Sequence, residues 1–449
     1  MTDTEHRDED RRWGFRTRAL HAGGRPDPTT GARAVPIYQS TSFVFEDTED
    51  AADLFALQKY GVIYSRISNP TTSAFEERMA SLEGGIGSVA TASGQAAEFL
   101  ALTTLCGAGD HIVAAAGLYG GTYALLATTL GRLGIATDFV PNDDPAAFAA
   151  AIRPETKLLY TEIIGNPSGS VADLEALADV AHANGIPLVV DATFATPYLC
   201  RPIEFGADIV LHSATKFIGG HGTSIGGVVT EAGTFDWAAS GRFDRLTEPV
   251  ASYNNLKWWD NFGEYAFCTA LRSEQLRDVG ASLSPFNAFL LLQGLETLPQ
   301  RMEEHVANAR AVSAWLEADD RVRWVAHADL PSSPYHELAT KYLPDGCGAI
   351  FTFGIDGGRE AGRRFIENLQ LVSHLANVGD ARTLVIHPAS TTHQQMTDEQ
   401  LTLAGVGPDM IRLSVGLEDL DDILWDLDQA LLLAHESFMA AASAWSRSQ

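Results

Sequence analysis

Short apolar runs of strand length alternate with helical segments through the middle of this 449-residue chain, and this alternation constrains its fold most. The strand-length runs are residues 88–91, 111–115, 157–161, 187–190, 208–211 and 226–230, with helical patterns between several of them, as at 72–82 and 174–184. Strands that are apolar along their whole length are buried on both faces, which is typical of parallel sheets covered by helices. The pattern therefore predicts an α/β fold with a mostly parallel sheet.

The segments on either side of this region have a different character. Residues 1–68 begin with a charged, polar stretch and are then rich in turn formers, with one helix near 48–58, so we expect an extended N-terminal arm. Residues 69–290 form the predicted large domain. Residues 291–449 form a predicted smaller α/β C-terminal domain, with strands near 349–353, 371–373 and 411–414 after a long helical region at 286–317.

Composition excludes several classes of function. The formal net charge of -27 argues against nucleic acid as a partner, because little basic surface is available to neutralise phosphates. No stretch approaches eighteen consecutive apolar residues and the N-terminus lacks an apolar signal core, so we expect neither a membrane span nor a secretory signal. The four cysteines form no CxxC pair, which predicts reduced thiols and no zinc site. A cytoplasmic enzyme is the expectation.

Lys216 is the first candidate for a chemical role. It is one of five lysines against twenty-six arginines, and it lies between the hydroxyl residues Ser213 and Thr215 and a glycine-rich stretch at 219–222. A shielded lysine near phosphate-binding hydroxyls suits a Schiff base with pyridoxal phosphate (PLP). The alternative is a solvated lysine in a flexible loop, and this run of residues alone does not decide between the two.

A phosphate site is indicated where a strand-length run meets a helical pattern. The amides of Gly94 and Gln95 would lie at the N-terminus of that helix, where backbone donors and the helix dipole favour anions. Ser213 and Thr215 offer hydroxyls to the same phosphate. The alternative is an ordinary helix cap by Ser93.

Further candidates stand at strand ends or in unusual surroundings. Asp191 ends an apolar run and could keep a pyridine nitrogen protonated, or serve only as a turn or cap residue. Tyr119 could stack on the same ring or be an ordinary half-buried aromatic residue. Tyr64 and Arg66, in the arm, could reach a neighbouring subunit's phosphate or lie on the surface. Arg412 lies inside an apolar strand, where a buried guanidinium is costly unless a carboxylate pairs with it.

Four longer motifs carry a resemblance to a known family. They are residues 26–38, 213–222, 284–290 and 384–393, and the similarity runs from about residue 15 to about residue 430. The chain resembles the Cys/Met-metabolism PLP-dependent enzymes of fold type I. That family's fold implies a mostly parallel seven-stranded sheet flanked by helices.

The resemblance also implies roles for the candidate residues. Lys216 would form the Schiff base with PLP, Asp191 would pair with the pyridinium nitrogen, and Tyr119 would stack on the ring. The implied phosphate ligands are Gly94, Gln95, Ser213 and Thr215, with Tyr64 and Arg66 reaching the phosphate of the adjacent subunit. The implied ligands of the substrate carboxylate are Arg412, Asn166 and Asn377.

The implied reaction is γ-replacement on O-acetyl-L-homoserine by sulfide or a small thiol, which gives homocysteine or methionine plus acetate. Asn377 favours this branch of the family, because related γ-lyases tend to carry serine there. A γ-lyase or a cystathionine γ-synthase is the alternative within the family. A homotetramer built from two dimers that share active sites is the implied assembly.

The chain departs from the family pattern at two places. Ala192 follows Asp191 where asparagine is usual, and the aromatic and polar segment 253–261 is a candidate for lining the entrance.

The spacing of glycines at 85–90 matches a nicotinamide-binding loop, but a helical pattern precedes it where a strand is required. A non-enzymatic binding protein is disfavoured by the cost of burying Lys216, Asp191 and two arginines without a ligand. His387 and His393, six residues apart, are not expected to bind a metal.

Overall fold

The computed structural model describes residues 13–141, 144–391 and 407–446, the last eleven of them as backbone only. They divide into two compact units. The first unit comprises the described residues up to Ile163, then Ala172–Gly219 and Thr223–Pro299. The second comprises Ile164–Val171, Gly220–Gly222 and the described residues from Gln300 onward. Two short segments of the first two-thirds of the chain therefore belong to the second unit.

The first unit is built on a seven-stranded sheet. Its strands are β1 (Gly87–Thr91), β2 (His111–Ala115), β3 (Ala136–Val140), β4 (Thr156–Glu162), β5 (Leu188–Asp191), β6 (Ile209–His212) and β7 (Gly227–Glu231). Their order in the sheet is β1-β7-β6-β5-β4-β2-β3, and only β7 runs antiparallel to its neighbours. The mostly parallel seven-stranded sheet predicted from the sequence is thereby confirmed.

Helices precede, connect and follow these strands. In chain order they are α1 (Phe15–His21), α2 (Thr48–Phe55), α3 (Pro70–Glu83), α4 (Gly94–Leu105), α5 (Gly120–Ala124), α6 (Pro145–Ala151), α7 (Leu174–Ala183), α8 (Thr196–Leu199), α9 (Trp237–Ser240), α10 (Asp244–Thr247), α11 (Trp258–Phe262), α12 (Ala266–Ala270), α13 (Arg277–Val279) and α14 (Pro285–Glu296). A π-helical turn, Leu125–Leu130, continues α5. Local signals fix several ends, as in α3, where Asn69 caps the first turn, Pro70 occupies the first position, and Gly84 closes the helix at φ +84°.

The second unit has its own five-stranded sheet. Its strands are β8 (Val322–Ala326), β9 (Ile350–Ile355), β10 (Ser373–His374), β11 (Leu384–Ile386) and β12 (Met410–Ser414), in the order β10-β11-β12-β9-β8. Its helices are α15 (Leu298–Glu317), which begins at the boundary between the units, α16 (His336–Tyr342), α17 (Gly358–Asn368) and α18 (Leu420–Ser446). β10 and β11 pair in parallel, and the other neighbouring strands of this sheet pair antiparallel.

Three strands were absent from the sequence prediction, and the nicotinamide-binding alternative, which the sequence disfavoured, is excluded. β3 and β8 are partly exposed and carry polar residues, and β11 has only three residues, so none of them forms a long apolar run. Gly85 lies between α3 and β1 and therefore follows a helix, which rules out a nicotinamide-binding loop there. No helix among the described residues is long and apolar enough to cross a membrane.

Candidate active site

One edge of the seven-stranded sheet gathers most of the predicted site residues. In the register of the parallel strands, Glu162 pairs with Asp191 and Asp191 with Leu211, so β4, β5 and β6 end side by side. β1 runs in the same direction, and Gly94 follows it at the start of α4. The turn that carries Lys216 follows β6. The carboxyl edge of an open α/β sheet is where such folds bind their ligands.

Gly94 brings the N-terminus of α4 directly against Ser213. A Cβ atom at position 94 would lie 2.7 Å from Ser213 Cβ and 3.0 Å from Ser213 Oγ, so only glycine fits without a shift of one backbone segment. Gly227, at the start of β7, is equally confined by the backbone carbonyl of Ser93. Glycines at these two positions therefore allow the helix N-terminus and the Ser213 hydroxyl to share one small space.

The first turn of α4 retains donors that point out of the helix. Ser93 caps the helix by accepting from the Ala96 amide at 3.1 Å, as the alternative interpretation of this residue predicted. Within the described part of the chain, the amides of Gly94 and Gln95 donate to no other group. A capped helix end with two such amides and the nearby Ser213 hydroxyl has the donor set that a phosphate requires.

Asp191 is linked to this donor set through Thr193. The Thr193 amide donates to Asp191 Oδ1 at 2.8 Å, and the Ser213 amide donates to Thr193 Oγ1 at 2.8 Å. Burial raises the pKa of Asp191, whereas the hydrogen bonds from the Thr193 side chain and amide lower it. A cationic partner would stabilise the ionised carboxylate in such a place. Thr193 had no role in the sequence prediction, although an aspartate side chain often accepts from the backbone amide two residues later and forms such a turn.

Lys216 lies in the turn that follows β6 and is half-buried. Its amide donates to the Ser213 carbonyl at 3.2 Å, which fixes the turn. The neighbouring Thr215 hydroxyl donates to the Gly226 carbonyl and accepts from the Gly226 amide, both at 3.1 Å. To donate to a phosphate, this hydroxyl would have to rotate away from Gly226. The predicted phosphate role of Thr215 thus requires a rearrangement that Ser213 does not.

Tyr119 stands immediately before α5 and half of it is exposed (50%). Its amide donates to Glu162 Oε1 at 2.7 Å, so the carboxylate that ends β4 holds the turn in place. The ring lies over Gly121, where any Cβ atom would collide with it. This arrangement leaves an exposed aromatic face, as expected for a residue that stacks on a ligand.

Glu98 is a site residue that the sequence prediction missed. It is 4% exposed and accepts from Thr122 Oγ1 and from Gln95 Nε2, each at 2.9 Å. Burial and the nearby charge of Asp191 raise the pKa of Glu98 to about 8. Glu98 is the only charged residue in α4, and that isolation in an apolar helix was the signal that could have identified it.

Tyr64 and Arg66 lie on the arm, close to each other. The Arg66 guanidinium is 5.3 Å from the centroid of the Tyr64 ring, and its Nη1 donates to the Arg277 carbonyl. Tyr64 is 40% exposed and pairs with Ser42 in an isolated antiparallel bridge. Their predicted contact with an adjacent subunit stays a prediction.

The three residues predicted to bind the substrate carboxylate all belong to the second unit. Arg412 Nη1 donates to Asn166 Oδ1 at 3.4 Å, which joins β12 to the Ile164–Val171 segment. Asn377 lies between β10 and β11. A guanidinium presents its donors in a planar fork that matches the two oxygens of a carboxylate.

The two departures from the family pattern are accommodated in different ways. Ala192 is completely buried, so the chain fills this position with a small apolar side chain. In the 253–261 segment Trp258 is also completely buried and packs edge-on against Tyr253. Trp258 therefore forms part of the core, which leaves the exposed residues of the segment, such as Asn254, as candidates for the entrance.

His387 is fixed by two hydrogen bonds. Its Nδ1 lies 2.7 Å from Ser390 Oγ, and its Nε2 lies 3.0 Å from the Pro408 carbonyl oxygen, to which it donates. Both ring nitrogens are thus used within the protein. Thr392 and His393, at the end of the fourth sequence motif, lie outside the described residues.

These residues fit the PLP cofactor that the resemblance implies. The cradle at Gly94 admits no side-chain carbon, the amides and hydroxyl beside it suit a phosphate, and the half-buried Asp191 suits a protonated ring nitrogen. A half-buried lysine follows directly on the same turn. The donor set, the acid and the amine are therefore present on one sheet edge.

Comparison with known proteins gives a consistent result. Residues 16–432 match the model of the family described as Cys/Met metabolism PLP-dependent enzyme. The chain is 54% identical to a homocysteine synthase of Schizosaccharomyces pombe, over 94% of this chain and 98% of the relative. It is 51% identical to an O-acetyl-L-homoserine sulfhydrylase of Leptospira meyeri, over 92% and 96% of the two chains.

Solved structures agree with the sequence comparisons. A crystal structure from Campylobacter jejuni superposes with a TM-score of 0.90 at 38% identity, covering 93% of this chain and all of the other. That protein is named an O-acetylhomoserine (thiol)-lyase, and its structure contains N'-pyridoxyl-lysine-5'-monophosphate. The fold is that of the PLP-dependent enzymes of fold type I, as the sequence predicted.

Proposed function

Because the chain belongs to the Cys/Met metabolism PLP-dependent enzyme family, we propose that it catalyses γ-replacement on O-acetyl-L-homoserine with sulfide or a small thiol. The products are homocysteine or, with methanethiol, methionine, together with acetate. Relatives that are 50% to 54% identical and span more than nine-tenths of the chain carry names of this activity. The observation on which the proposal rests most is the meeting of the Gly94 cradle, Asp191 and the Lys216 turn at one sheet edge.

The cofactor's place is defined by the chain's own donors. When bound, PLP supplies an electron sink for negative charge that develops on substrate carbons. The amides of Gly94 and Gln95 and the Ser213 hydroxyl would bind its phosphate. Asp191 would hold the proton on its ring nitrogen, and the Thr193 amide keeps that carboxylate oriented.

Lys216 Nζ moves the protons in the proposed reaction. It takes the proton from substrate Cα and assists proton removal at Cβ, with Tyr119 as its partner in the second transfer. Acetate leaves with the electron pair of the Cγ–O bond, and the sulfur nucleophile forms the Cγ–S bond in its place. Return of protons to Cβ and Cα completes a reaction in which nothing is oxidised or reduced.

Arg412 binds and orients the substrate. Its guanidinium forms a forked pair with the α-carboxylate, and Asn166, which already accepts from Arg412, holds the guanidinium in place. Asn377 adds an amide to the same group. Fixing the carboxylate fixes the direction of the Cα–H bond and lowers the entropic barrier to its cleavage.

The experiment that tests the proposal is a product assay with purified holoenzyme. O-acetyl-L-homoserine and sulfide should give homocysteine and acetate in equal amounts. Rapid release of 2-oxobutyrate without a nucleophile would instead identify a γ-lyase, and cystathionine formed from cysteine would identify a γ-synthase. A substrate panel that includes O-succinyl-L-homoserine identifies the leaving group.

Substitution of the lysine tests the chemistry itself. Lys216→Ala should abolish turnover and borohydride trapping of the cofactor on the chain. Lys341→Ala is the matched control, because this lysine is exposed and its ammonium lies over the Tyr342 ring, 4.6 Å from the ring centroid. A fully active Lys216→Ala variant would refute the proposed mechanism.

The proposed assembly is a cytoplasmic homotetramer in which Tyr64 and Arg66 bind the phosphate in the adjacent subunit. It is supported by the exposure of apolar arm residues, including Val44 at 99% and Tyr64 at 40%. Light scattering measures the assembly. Mixing and reassembling Lys216→Ala and Arg66→Ala subunits should restore activity, because one site in each mixed pair is then intact; no recovery would contradict shared sites.

A further inference from the structure

The buried carboxyl of Glu98 joins two parts of the candidate site. One oxygen accepts from Thr122 Oγ1, three residues after Tyr119 and within α5. The other accepts from Gln95 Nε2, on the residue whose amide belongs to the phosphate cradle. A single side chain therefore connects the tyrosine turn to the N-terminal turn of α4.

Glu98 is buried in surroundings where a carboxyl is costly. It lies in an otherwise uncharged helix, is 4% exposed, and faces two titratable groups, Asp191 on β5 and Tyr160 on β4. A carboxyl in such a place costs free energy unless its hydrogen bonds are made. The hydrogen bonds of Glu98 offset this free-energy cost, and they reach both the proposed ring-stacking segment and the proposed phosphate-binding segment.

We propose that Glu98 is a positioning residue, which holds the Tyr119 turn against the N-terminal turn of α4, where Gln95 lies. The segment that stacks on the cofactor ring and the segment that binds its phosphate would then be held in a fixed relation to each other. The Tyr119 turn then has two anchors, Glu98 through Thr122 and Glu162 through the Tyr119 amide. The inference rests on PLP binding at this edge and adds a residue to it. It does not depend on which nucleophile the enzyme uses.

The protonation state of the Glu98 carboxyl predicts which side chain can replace it. Burial first, and then the charge of Asp191, raise the pKa of Glu98 to about 8, so the group is mostly protonated at neutral pH. A glutamine side chain has nearly the same shape and the same neutral charge. Glu98→Gln should therefore keep the connection, whereas Glu98→Ala removes it.

The test measures cofactor release from the holoenzyme by dilution into excess phenylhydrazine, together with the visible circular dichroism of the bound cofactor. Loss of two net hydrogen bonds predicts PLP release from Glu98→Ala that is roughly tenfold or more faster, with a weaker dichroic band. Glu98→Gln should stay within about threefold of the wild type. Neither measurement uses a substrate, so the role of Glu98 can be tested even if the proposed reaction is wrong.

Two further variants separate positioning from general loss of stability. Thr122→Val removes one of the two contacts of Glu98 and should therefore accelerate PLP release by part of the Glu98→Ala effect. The double variant should release PLP no faster than Glu98→Ala, because both substitutions remove the same Thr122–Glu98 hydrogen bond. Thr104→Val is the control: its hydroxyl lies in the same helix, is buried, and donates to the Leu100 carbonyl at 2.7 Å. It should lower the melting temperature and leave cofactor release unchanged.

Three outcomes would overturn the proposal. Glu98→Ala could release PLP at the wild-type rate with an unchanged dichroic band. Glu98→Gln could fail as badly as Glu98→Ala, which would assign the effect to charge. Thr104→Val could accelerate release as much as Thr122→Val, which would assign it to stability.

Discussion

Gly94 is the position at which the structure makes its sharpest prediction about cofactor binding. In Gly94→Ala the new Cβ atom would lie 2.7 Å from Ser213 Cβ and 3.0 Å from Ser213 Cα and Oγ. Carbon atoms pack at about 3.5–4.0 Å, so either the start of α4 or the Ser213 turn must move by several tenths of an ångström. Both segments carry donors that we propose bind the phosphate, so either movement should widen the cradle.

The size of the effect follows from the cost of overpacking. Extra methyl groups in well-packed sites typically cost about 1–3 kcal/mol. If the cradle bears that strain, the dissociation constant for PLP rises by roughly 5- to 150-fold. Titration of the apoenzyme with PLP, followed by fluorescence or absorbance, measures this change directly.

A matched substitution isolates the contact. Gly131→Ala adds the same methyl group at a helical glycine where nothing lies within 4 Å of the new carbon, so PLP affinity should not change. The melting temperature of each apoenzyme is recorded in parallel. Wild-type PLP affinity in Gly94→Ala, with or without a lower melting temperature, would refute the reasoning, because the cradle would then not depend on this close approach.

Two further predictions concern a buried acid and the substrate arginine. Burial raises the pKa of Glu231, which accepts from the Cys268 amide and Trp237 Nε1, to about 8. The folded state thus keeps a proton that the unfolded state loses near pH 4.5. Because of this difference, the free energy of unfolding falls as pH rises from about 4.5 to about 8, by up to about 1.4 kcal/mol per pH unit. Denaturant unfolding should show Glu231→Gln gaining on the wild type from pH 5 to pH 8, and a difference that does not vary with pH would contradict this. Arg412→Lys loses the forked pair with a carboxylate and the Asn166 contact, so steady-state kinetics should show KM for the amino-acid substrate raised about tenfold or more; an unchanged KM would argue against its role.

The position of several candidate residues at one sheet edge could be predicted because the ends of buried strands are visible in the sequence. Asp191 stands directly after a run of apolar residues and Lys216 lies in a turn after the next such run, so both were expected at one edge of a parallel sheet. Gly94 was likewise expected where a strand gives way to a helix. These inferences needed only local pattern and the general geometry of α/β folds.

Contacts between distant segments could not be predicted in the same way. The Thr215 hydroxyl is bound by Gly226, just before a strand whose antiparallel direction no local pattern indicates. Glu98 meets Thr122 only because α4 and α5 both start at the same sheet edge. β3 and β8 were missed because half-exposed strands with polar residues lack a clear apolar run.

The division of the chain into interleaved segments has a consequence for its synthesis and engineering. Ile164–Val171 and Gly220–Gly222 are translated well before Gln300, yet they belong to the unit that Gln300 begins. Gly169, for instance, packs so closely on the Ala326 carbonyl that a Cβ there would lie 2.9 Å from the oxygen. During translation these segments must wait for partners that begin to emerge 129 residues after Val171 and 78 residues after Gly222. A fragment that starts at residue 300 would lack them, and a chimera with a relative must exchange all three pieces together.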